Sequence, residues 1–307
     1  MPSDPPFKKI LVPLDGSKTA ENALPLARCF ARNLQIPLEL LAVVEPAVVV
    51  PILSEADRSV LHARIADHER YCGKYLAQIA KYFPAACVQS QVCSGVPADI
   101  IIESAALEKN TLIAMATHGY SGVNRWLLGS VAEKILRGSS NPLLLVRTTQ
   151  TPARWDMPTP KSLLVPLDGS EMAESVLPIV QTLAQSFNVE VILLRVYGVP
   201  YGAYSAGEGF YDTTQLDNFV GQLRKEAEAY LRQKAAELKG HGIDKVSYDA
   251  KEGLDADEII LFARHSPDNL VVMCTHGRSG LKRWVLGSVT ETVVRHCEKP
   301  VLIVRGS

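Results

Sequence analysis

Two stretches of the chain place glycine and serine at a spacing that suits the binding of phosphate groups. The first contains Gly119, Gly122 and Gly129, and Ser130 follows directly. It comes after the apolar run 111–116, so the order strand, glycine-containing loop, helix is predicted. In this arrangement backbone N–H groups at the start of the helix converge on an anion, and glycine leaves room for phosphate oxygens to approach them. The chemistry indicated is phosphate binding.

The same stretch occurs a second time. Residues 275–291 match residues 117–133 at twelve of seventeen positions, and they too follow an apolar run. A heptapeptide at 11–17 recurs unchanged at 164–170. Such repetition predicts two similar domains, residues 1–147 and 161–307, and the proline- and threonine-rich segment 148–160 is interpreted as a linker.

Composition excludes several classes of protein. The chain has 307 residues, 47% of them hydrophobic, and 32 basic residues nearly balance 33 acidic ones. The chain therefore has no net positive charge that would attract nucleic acid. No apolar run approaches the length of a membrane span or of the apolar core of a signal peptide. The six cysteines never form a Cys-x-x-Cys pair, which favours buried reduced thiols over disulfides or a metal site. We expect a cytoplasmic protein that contacts neither nucleic acid nor membrane.

Predicted strands and helices alternate along the chain and hold these two stretches in place. Each half reads as βαβαβαβαβ with nearly continuous apolar strands, which predicts an α/β fold: two tandem doubly wound (Rossmann-like) domains, each with a five-stranded parallel sheet. Proline at 25 and 178 falls inside a predicted helix and indicates a kink or an early-turn position. In the first half we predict strands at 9–14, 37–44, 87–92, 111–116 and 143–147, and helices at 19–33, 55–82, 97–107 and 130–137; in the second half, strands at 162–167, 190–196, 245–250, 270–274 and 301–305.

Two aspartates are predicted to border the binding crevice. Ligands of open parallel sheets bind beyond the carboxyl ends of the strands, where the strand order reverses. Asp15 and Asp168 follow the first strand of each half, where a carboxylate can accept hydrogen bonds from ribose hydroxyls. An Asp that only caps the turn into the next helix has the same spacing, so both interpretations stay open.

Other residues of the repeated stretch admit structural explanations. Ser130 and Glu133 fit the capping-box pattern, as do Ser288 and Glu291, but that pattern does not account for the glycines. His118 and its copy His276 lack further ligands at metal-binding spacing. We expect these histidines to shape the loop or to donate a hydrogen bond to phosphate rather than to act in catalysis. The sequence has no Ser-His-Asp order, no paired carboxylates and no Gly-x-x-x-x-Gly-Lys loop, so it indicates binding more clearly than catalysis.

Each half resembles a universal stress protein domain, from residue 8 to 147 and from 161 to 305, and the whole chain resembles the tandem members of that family. The family's ATP-binding pattern is Gly, two residues, Gly, nine residues, then Gly and Ser or Thr. Gly119, Gly129 and Ser130 fit it in the first half, and Gly277, Gly287 and Ser288 in the second. The first Gly of the pattern is replaced by Ala116 and by Cys274.

The resemblance implies an ATP site in each domain, with Mg²⁺ as a possible companion of the nucleotide. In the first domain it implies Pro13, Leu14 and Asp15 beside the ribose and Val43 at the adenine edge. Gly119, Gly129, Ser130 and Val131 would hold the phosphates with His118 nearby, and Met115 and Ala116 are further binding residues. The matching residues of the second domain are Pro166, Leu167, Asp168, Val196, Met273, Cys274, His276, Gly277, Gly287, Ser288 and Val289.

The resemblance also implies what the protein does. We expect a nucleotide-dependent stress sensor or regulator with little or no turnover. Two alternatives stay open: a slow ATPase or adenine-nucleotide hydrolase, and an interaction scaffold that binds no nucleotide. The family further implies pairing of the last strands, 143–147 and 301–305, in an intrachain pseudo-dimer, and it leaves room for a homodimer.

Overall fold

The computed structural model describes residues 5–45, 55–117, 128–147, 159–198, 213–266, 268–275 and 287–306. The chain divides into two compact units, Met1–Thr159 and Pro160–Ser307. Four predicted site residues, His118, Gly119, His276 and Gly277, lie outside the described residues, as does most of the predicted linker.

The first unit is an open parallel sheet in the strand order β3-β2-β1-β4-β5. The order reverses between β1 and β4. Its elements are β1 (Lys9–Pro13), a 3-10 turn (Ala20–Ala23), α1 (Leu24–Leu34), β2 (Leu38–Val44), α2 (Glu55–Ala80), a second 3-10 turn (Ala85–Cys87), β3 (Val88–Ser94), α3 (Pro97–Ala106), β4 (Thr111–Ala116), α4 (Ser130–Gly138) and β5 (Leu143–Val146).

The second unit repeats this topology with the strand order β8-β7-β6-β9-β10. The doubly wound α/β fold is therefore confirmed, whereas pairing of the two last strands stays a prediction. Its elements are β6 (Ser162–Pro166), α5 (Glu171–Glu174), α6 (Leu177–Phe187), β7 (Glu190–Tyr197), α7 (Thr213–Gly240), β8 (Val246–Glu252), α8 (Asp255–His265), β9 (Asn269–Thr275), α9 (Ser288–His296) and β10 (Val301–Arg305).

The helix predicted over residues 19–33 is in fact two elements. A 3-10 turn ends at Ala23, and α1 begins at Leu24 with Pro25 in its first turn. The second unit divides in the same way, with Pro178 in the first turn of α6. Proline lacks an N–H group and is tolerated only where that group would have no partner within the helix, so the helix restarts there.

The central strands form the core of each unit. All six residues of β4 are buried, and Ile10, Leu11 and Val12 of β1 are fully buried. Burying a large aliphatic side chain stabilises the fold by roughly 1.5–3 kcal/mol, so these strands fix where the sheet lies. Their carboxyl ends meet where the strand order reverses. Within the described residues, no helix has the length and apolar character needed to cross a membrane.

Candidate functional site

A cavity of about 300 Å³ opens at the carboxyl ends of the strands in the first domain. It lies where the strand order reverses, between the turn after β1 and the start of α4. We call it the first crevice. Its lining is Pro13, Leu14, Asp15, Ala20, Leu41, Val43, Pro97, Ile101, Met115, Ala116, Thr117, Gly129, Ser130, Val131 and Ala132.

The first crevice brings together every described residue that was predicted for the first site. Residues from the ends of β1, β2 and β4 meet those that open α4, although up to 118 positions separate them in the chain. Sequence reasoning missed six lining residues: Ala20, Leu41, Pro97, Ile101, Thr117 and Ala132. Five of the six are apolar, and such residues look like ordinary core positions in a single sequence.

The amino end of α4 faces the first crevice without a side-chain cap. The capping-box interpretation is wrong, because Gly129 is the N-cap and Ser130 is already the first helical residue. The amides of Ser130, Val131 and Ala132 find no intrahelical acceptor, and within the described residues no other acceptor bonds them. Three N–H groups and the positive end of the helix dipole therefore point towards the cavity.

Gly129 contributes in a different way from these three amides. Its own amide donates to the carbonyl oxygen of Thr117 at 2.8 Å, so it is not available to a ligand. Its φ of −61° suits any residue, and no left-handed conformation requires glycine there. What glycine supplies at this position is a lining surface without a side chain.

Asp15 both caps a turn and borders the crevice. One carboxylate oxygen, Oδ1, accepts hydrogen bonds from the amide of Ser17 (2.9 Å) and from its hydroxyl (2.6 Å). The Ser17 hydroxyl in turn accepts from the amide of Ala20 at 3.0 Å. Asp15 is exposed and is the single charged residue of the lining. Its other oxygen, Oδ2, makes no hydrogen bond with the described residues, so the cap and a contact with a ligand are compatible.

The backbone of Val43 also lacks partners. Alternate residues of a strand direct their N–H and C=O groups to opposite neighbours. Leu41 bonds Leu14 on the β1 side, and Val44 bonds Gly95 on the β3 side, so the groups of Val43 face β1. Because β1 ends at Pro13, neither group of Val43 has a hydrogen-bond partner among the described residues. A donor and an acceptor thus stand side by side at the cavity.

The second domain carries nearly the same lining. Aligned through equivalent strands and helix starts, twelve of the fifteen lining residues are identical in the second half. The three that differ are Pro97, Ala116 and Ala132, which correspond to Asp255, Cys274 and Thr290. We call the matching positions the second crevice; they are Pro166, Leu167, Asp168, Ala173, Leu194, Val196, Asp255, Ile259, Met273, Cys274, Thr275, Gly287, Ser288, Val289 and Thr290.

The two helix starts have the same geometry. Gly287 is the N-cap of α9, with φ −60° and no side-chain cap, so the capping-box interpretation is wrong for Ser288 as well. Within the described residues, the amides of Ser288, Val289 and Thr290 have no acceptor. Asp168 repeats the turn cap, since its Oδ1 accepts from the amide and hydroxyl of Ser170 at 2.9 and 2.6 Å.

Beside the turn that carries Asp168, the second domain has a charged cluster. The guanidinium of Arg195 lies 4.7 Å from the ring centroid of Tyr230. The Tyr230 hydroxyl donates to Glu174 at 2.8 Å, and Lys234 pairs with the same carboxylate at 2.8 Å. Burial and the Glu174 hydrogen bond raise the pKa of Tyr230 above its ordinary value. In the first domain only the tyrosine and glutamate recur, as Tyr75 and Glu21 at 3.3 Å.

Cys274 replaces Ala116 and is turned towards the protein. Its Sγ lies 3.1 Å from the hydroxyl of Ser175, and burial raises the pKa of the thiol. All six cysteines are free; only Cys29 and Cys297 are buried, whereas Cys87 is exposed, so the expectation of buried thiols holds for two of the six. Within the described residues, no group of three His, Cys, Asp or Glu side chains is placed to hold a metal ion.

Comparison with known proteins agrees with this architecture. The universal stress protein family matches residues 6–147 and again residues 160–305. Universal stress protein Rv2623 of Mycobacterium tuberculosis is 26% identical over 97% of this chain and 96% of its own length. Among solved structures, a universal stress protein from Archaeoglobus fulgidus superposes with a TM-score of 0.69 at 21% identity, covering 97% of this chain and 98% of that one.

Single-domain proteins match one half of the chain. One of them, a universal stress protein solved in complex with cAMP, covers 48% of this chain and 99% of its own, with 22% identity and a TM-score of 0.35. That ligand is a property of that protein. Two matches to the family, one in each half, together with a relative that spans nearly the full length, establish the relationship. This chain belongs to the universal stress protein family and carries two of its domains in tandem.

Proposed function

We propose that the protein binds ATP in its crevices and acts as a nucleotide-dependent sensor or regulator with little turnover. The observation that carries the proposal is the uncapped amino end of α4. Three amides without acceptors face a cavity beside a surface without side chains, which is the arrangement that binds phosphate oxygens. The same feature recurs at the start of α9.

The remainder of the first crevice suits a nucleoside. A volume of about 300 Å³ lies at the lower end of the range for small-molecule sites. Leu41, Val43, Ile101 and Met115 provide apolar surface for a base, and the free N–H and C=O groups of Val43 match the donor and acceptor on the edge of adenine. Asp15 would accept hydrogen bonds from ribose hydroxyls through its second carboxylate oxygen. Mg²⁺ would arrive with the nucleotide, since the described residues offer no cluster of ligands for it.

A pair of substitutions at one position tests the role of the amides. Ser130→Pro removes the amide and the hydroxyl, whereas Ser130→Ala removes the hydroxyl alone. Proline fits the first helical position, and the ψ of 149° at Gly129 is the conformation preferred before proline, so the fold tolerates the change.

Calorimetric titration of ATP should show a few-fold loss of affinity for Ser130→Ala. Ser130→Pro should lose roughly tenfold or more beyond that, since a hydrogen bond to a charged group contributes about 1.5–3 kcal/mol. Ser288→Pro is the matched variant in the second domain. Equal affinities of the alanine and proline variants would refute the role of the amides. Absence of any ATP binding or thermal stabilisation of the unmodified protein would refute the proposed function itself; at a hundred times Kd, a ligand adds about 2.7 kcal/mol of stability.

Turnover is measured separately. Hydrolysis needs an in-line water and a group that orients it, and among the described lining residues Asp15 is the single charged side chain. We expect ADP and AMP to appear at no more than a few per minute when the protein is incubated with ATP and Mg²⁺ and the products are followed by chromatography. Faster turnover that is lost in Asp15→Ala/Asp168→Ala would make the protein an enzyme.

A further inference from the structure

We propose that Asp255 makes the second crevice the weaker ATP site, so that the two domains of one chain fill at different nucleotide concentrations. This inference rests on the proposed function. It assigns a role in selecting between the sites to a residue that sequence reasoning did not single out. The first crevice has an apolar proline where the second has this carboxylate.

The equivalence of Pro97 and Asp255 follows from matched contacts. Gly95 bonds the carbonyl of Val44 at 3.0 Å, and Gly253 bonds the carbonyl of Tyr197 at the same distance. Two residues later a helix begins in each domain, at Pro97 and at Asp255. Pro97 lines the first crevice. Asp255 therefore occupies the matching position in the second.

The other two differences between the linings add no charge, and their polar atoms already have partners within the protein. Cys274 Sγ lies 3.1 Å from the Ser175 hydroxyl, and the buried hydroxyl of Thr290 donates to the Cys274 carbonyl at 3.5 Å. Asp255 alone changes the electrostatics of the lining.

Among the described residues no cation lowers the pKa of Asp255, and its own helical turn adds further negative charge. The first turn of its helix carries Asp255, Asp257 and Glu258, where α3 carries only Asp99. Asp255 is exposed, and its partial desolvation together with the negative charge of Asp168 raises its pKa. The second crevice thus presents two interacting carboxylates where the first presents Asp15 alone.

Nearby cations are engaged elsewhere. Lys234 pairs with Glu174, and Lys251 pairs with Asp249 at 2.8 Å. The guanidinium of Arg195 lies over the Tyr230 ring, and its Nη2 is 3.3 Å from the position that a Cβ on Gly169 would take, beside the turn that carries Asp168. None of the three lowers the pKa of Asp255, which partial desolvation and Asp168 raise, so they do not offset the negative charge at that side chain.

The size of the effect follows from Coulomb's law. A carboxylate repels each of the several negative charges of the triphosphate, and the repulsion weakens with distance and with the high dielectric constant of water. About tenfold weaker binding at the second crevice is expected at low salt, and the difference should shrink as salt screens it.

The experiment measures each crevice alone in the full chain. Val196→Trp blocks the second crevice and leaves the first open, and Val43→Trp does the reverse; both valines are half-buried at equivalent positions of β7 and β2. ATP is titrated calorimetrically at low and high salt onto each blocked chain. The Val43→Trp chain is also combined with Asp255→Asn, and the Val196→Trp chain with Pro97→Asp. Asp257→Asn is the matched control, because it removes the same charge from the same helical turn at a position whose counterpart, Asp99, does not line the cavity.

We expect the second crevice to bind ATP about tenfold more weakly than the first. Asp255→Asn should recover most of that difference, Pro97→Asp should weaken the first crevice several-fold, and Asp257→Asn should change the affinity by less than about twofold. Equal affinities in the two blocked chains, or an Asp255→Asn variant that behaves like Asp257→Asn, would overturn the inference while leaving ATP binding intact. No binding at either crevice would instead refute the proposed function, and this inference with it.

Discussion

The two crevices have nearly the same lining but different surroundings. Twelve of fifteen lining positions are identical, and both helix starts lack a side-chain cap. Around the second crevice, however, Arg195, Lys234 and Asp255 stand where the first domain has Ala42, Ile79 and Pro97. The surfaces that would contact the ligand have been retained, whereas the charges next to them have diverged. This pattern is expected if both domains keep one kind of ligand but differ in how strongly they hold it.

Blocking one crevice at a time gives the largest expected effect. Val43→Trp should reduce ATP affinity at the first domain by at least about a hundredfold, since the indole would occupy the place of the base and cover the backbone groups that contact it. Val196→Trp should leave that tight site unchanged. Calorimetric stoichiometry measures both. If the Val43→Trp variant still binds ATP with the affinity of the first domain, the nucleotide does not lie in the first crevice.

Cys274 offers a chemical probe of the second crevice. Burial raises the pKa of its thiol, so less reactive thiolate is present at neutral pH, whereas Cys87 is exposed. Alkylation of Cys274 by iodoacetamide should be at least about tenfold slower than that of Cys87, as followed by mass spectrometry of peptides. Millimolar ATP should slow Cys274 further and leave Cys87 unchanged. An unchanged rate at Cys274 under saturating ATP would indicate that the second crevice stays empty.

The turn after the first strand should tolerate alanine differently in the two domains. Gly16 and Gly169 have φ of +82° and +92°, which an alanine adopts only with strain of about 1 kcal/mol. An added methyl group meets nothing within 4 Å at Gly16, but lies 3.3 Å from Arg195 Nη2 at Gly169. Gly169→Ala should therefore lower the free energy of unfolding by about 2 kcal/mol, and Gly16→Ala by about half of that. In an Arg195→Ala background, Gly169→Ala and Gly16→Ala should lower the free energy of unfolding by similar amounts. A difference that persists in this background would mean that a contact other than Arg195 causes it.

The smallest predicted difference concerns two half-buried tyrosines, Tyr230 and Tyr75. Tyr230 donates to Glu174 at 2.8 Å, whereas Tyr75 donates to Glu21 at 3.3 Å. Replacement by phenylalanine removes one hydrogen bond to a carboxylate in each domain. Tyr230→Phe should cost about 1–2 kcal/mol of stability and Tyr75→Phe less than about 1 kcal/mol, as measured by denaturant unfolding. A larger loss of stability for Tyr75→Phe than for Tyr230→Phe would contradict this prediction.

Most of the fold could be predicted because the strands are apolar and the chain is duplicated. The run 111–116 was placed without error, and the alternation of strands and helices predicted the parallel sheets. The start of α4 at Ser130 was predicted correctly, but its N-cap was misassigned because Ser130 and Glu133 satisfy the capping-box pattern, whereas the N-cap is Gly129. The hydrogen bond from Gly129 to Thr117 holds the chain extended up to Gly129, and this contact decides where the helix begins.

The missed lining residues could have been found from the repeat. Ala20, Leu41, Ile101 and Thr117 have identical counterparts in the second half, Ala173, Leu194, Ile259 and Thr275. Comparing the halves position by position would have flagged them alongside Asp15. Pro97 could not have been found in this way, since its counterpart Asp255 differs, and its place in the crevice depends on how α3 packs beside β4.

Nuclear magnetic resonance of backbone amides reports directly on whether the amides at the start of α4 bind the phosphates of ATP. On addition of ATP, the amide protons of Ser130, Val131 and Ala132 should shift downfield and exchange more slowly with solvent, because they would donate to phosphate oxygens. The amide of Gly129, already bonded to Thr117, should change little. ATP that binds by calorimetry while the three amides keep their shifts and exchange rates would contradict the account.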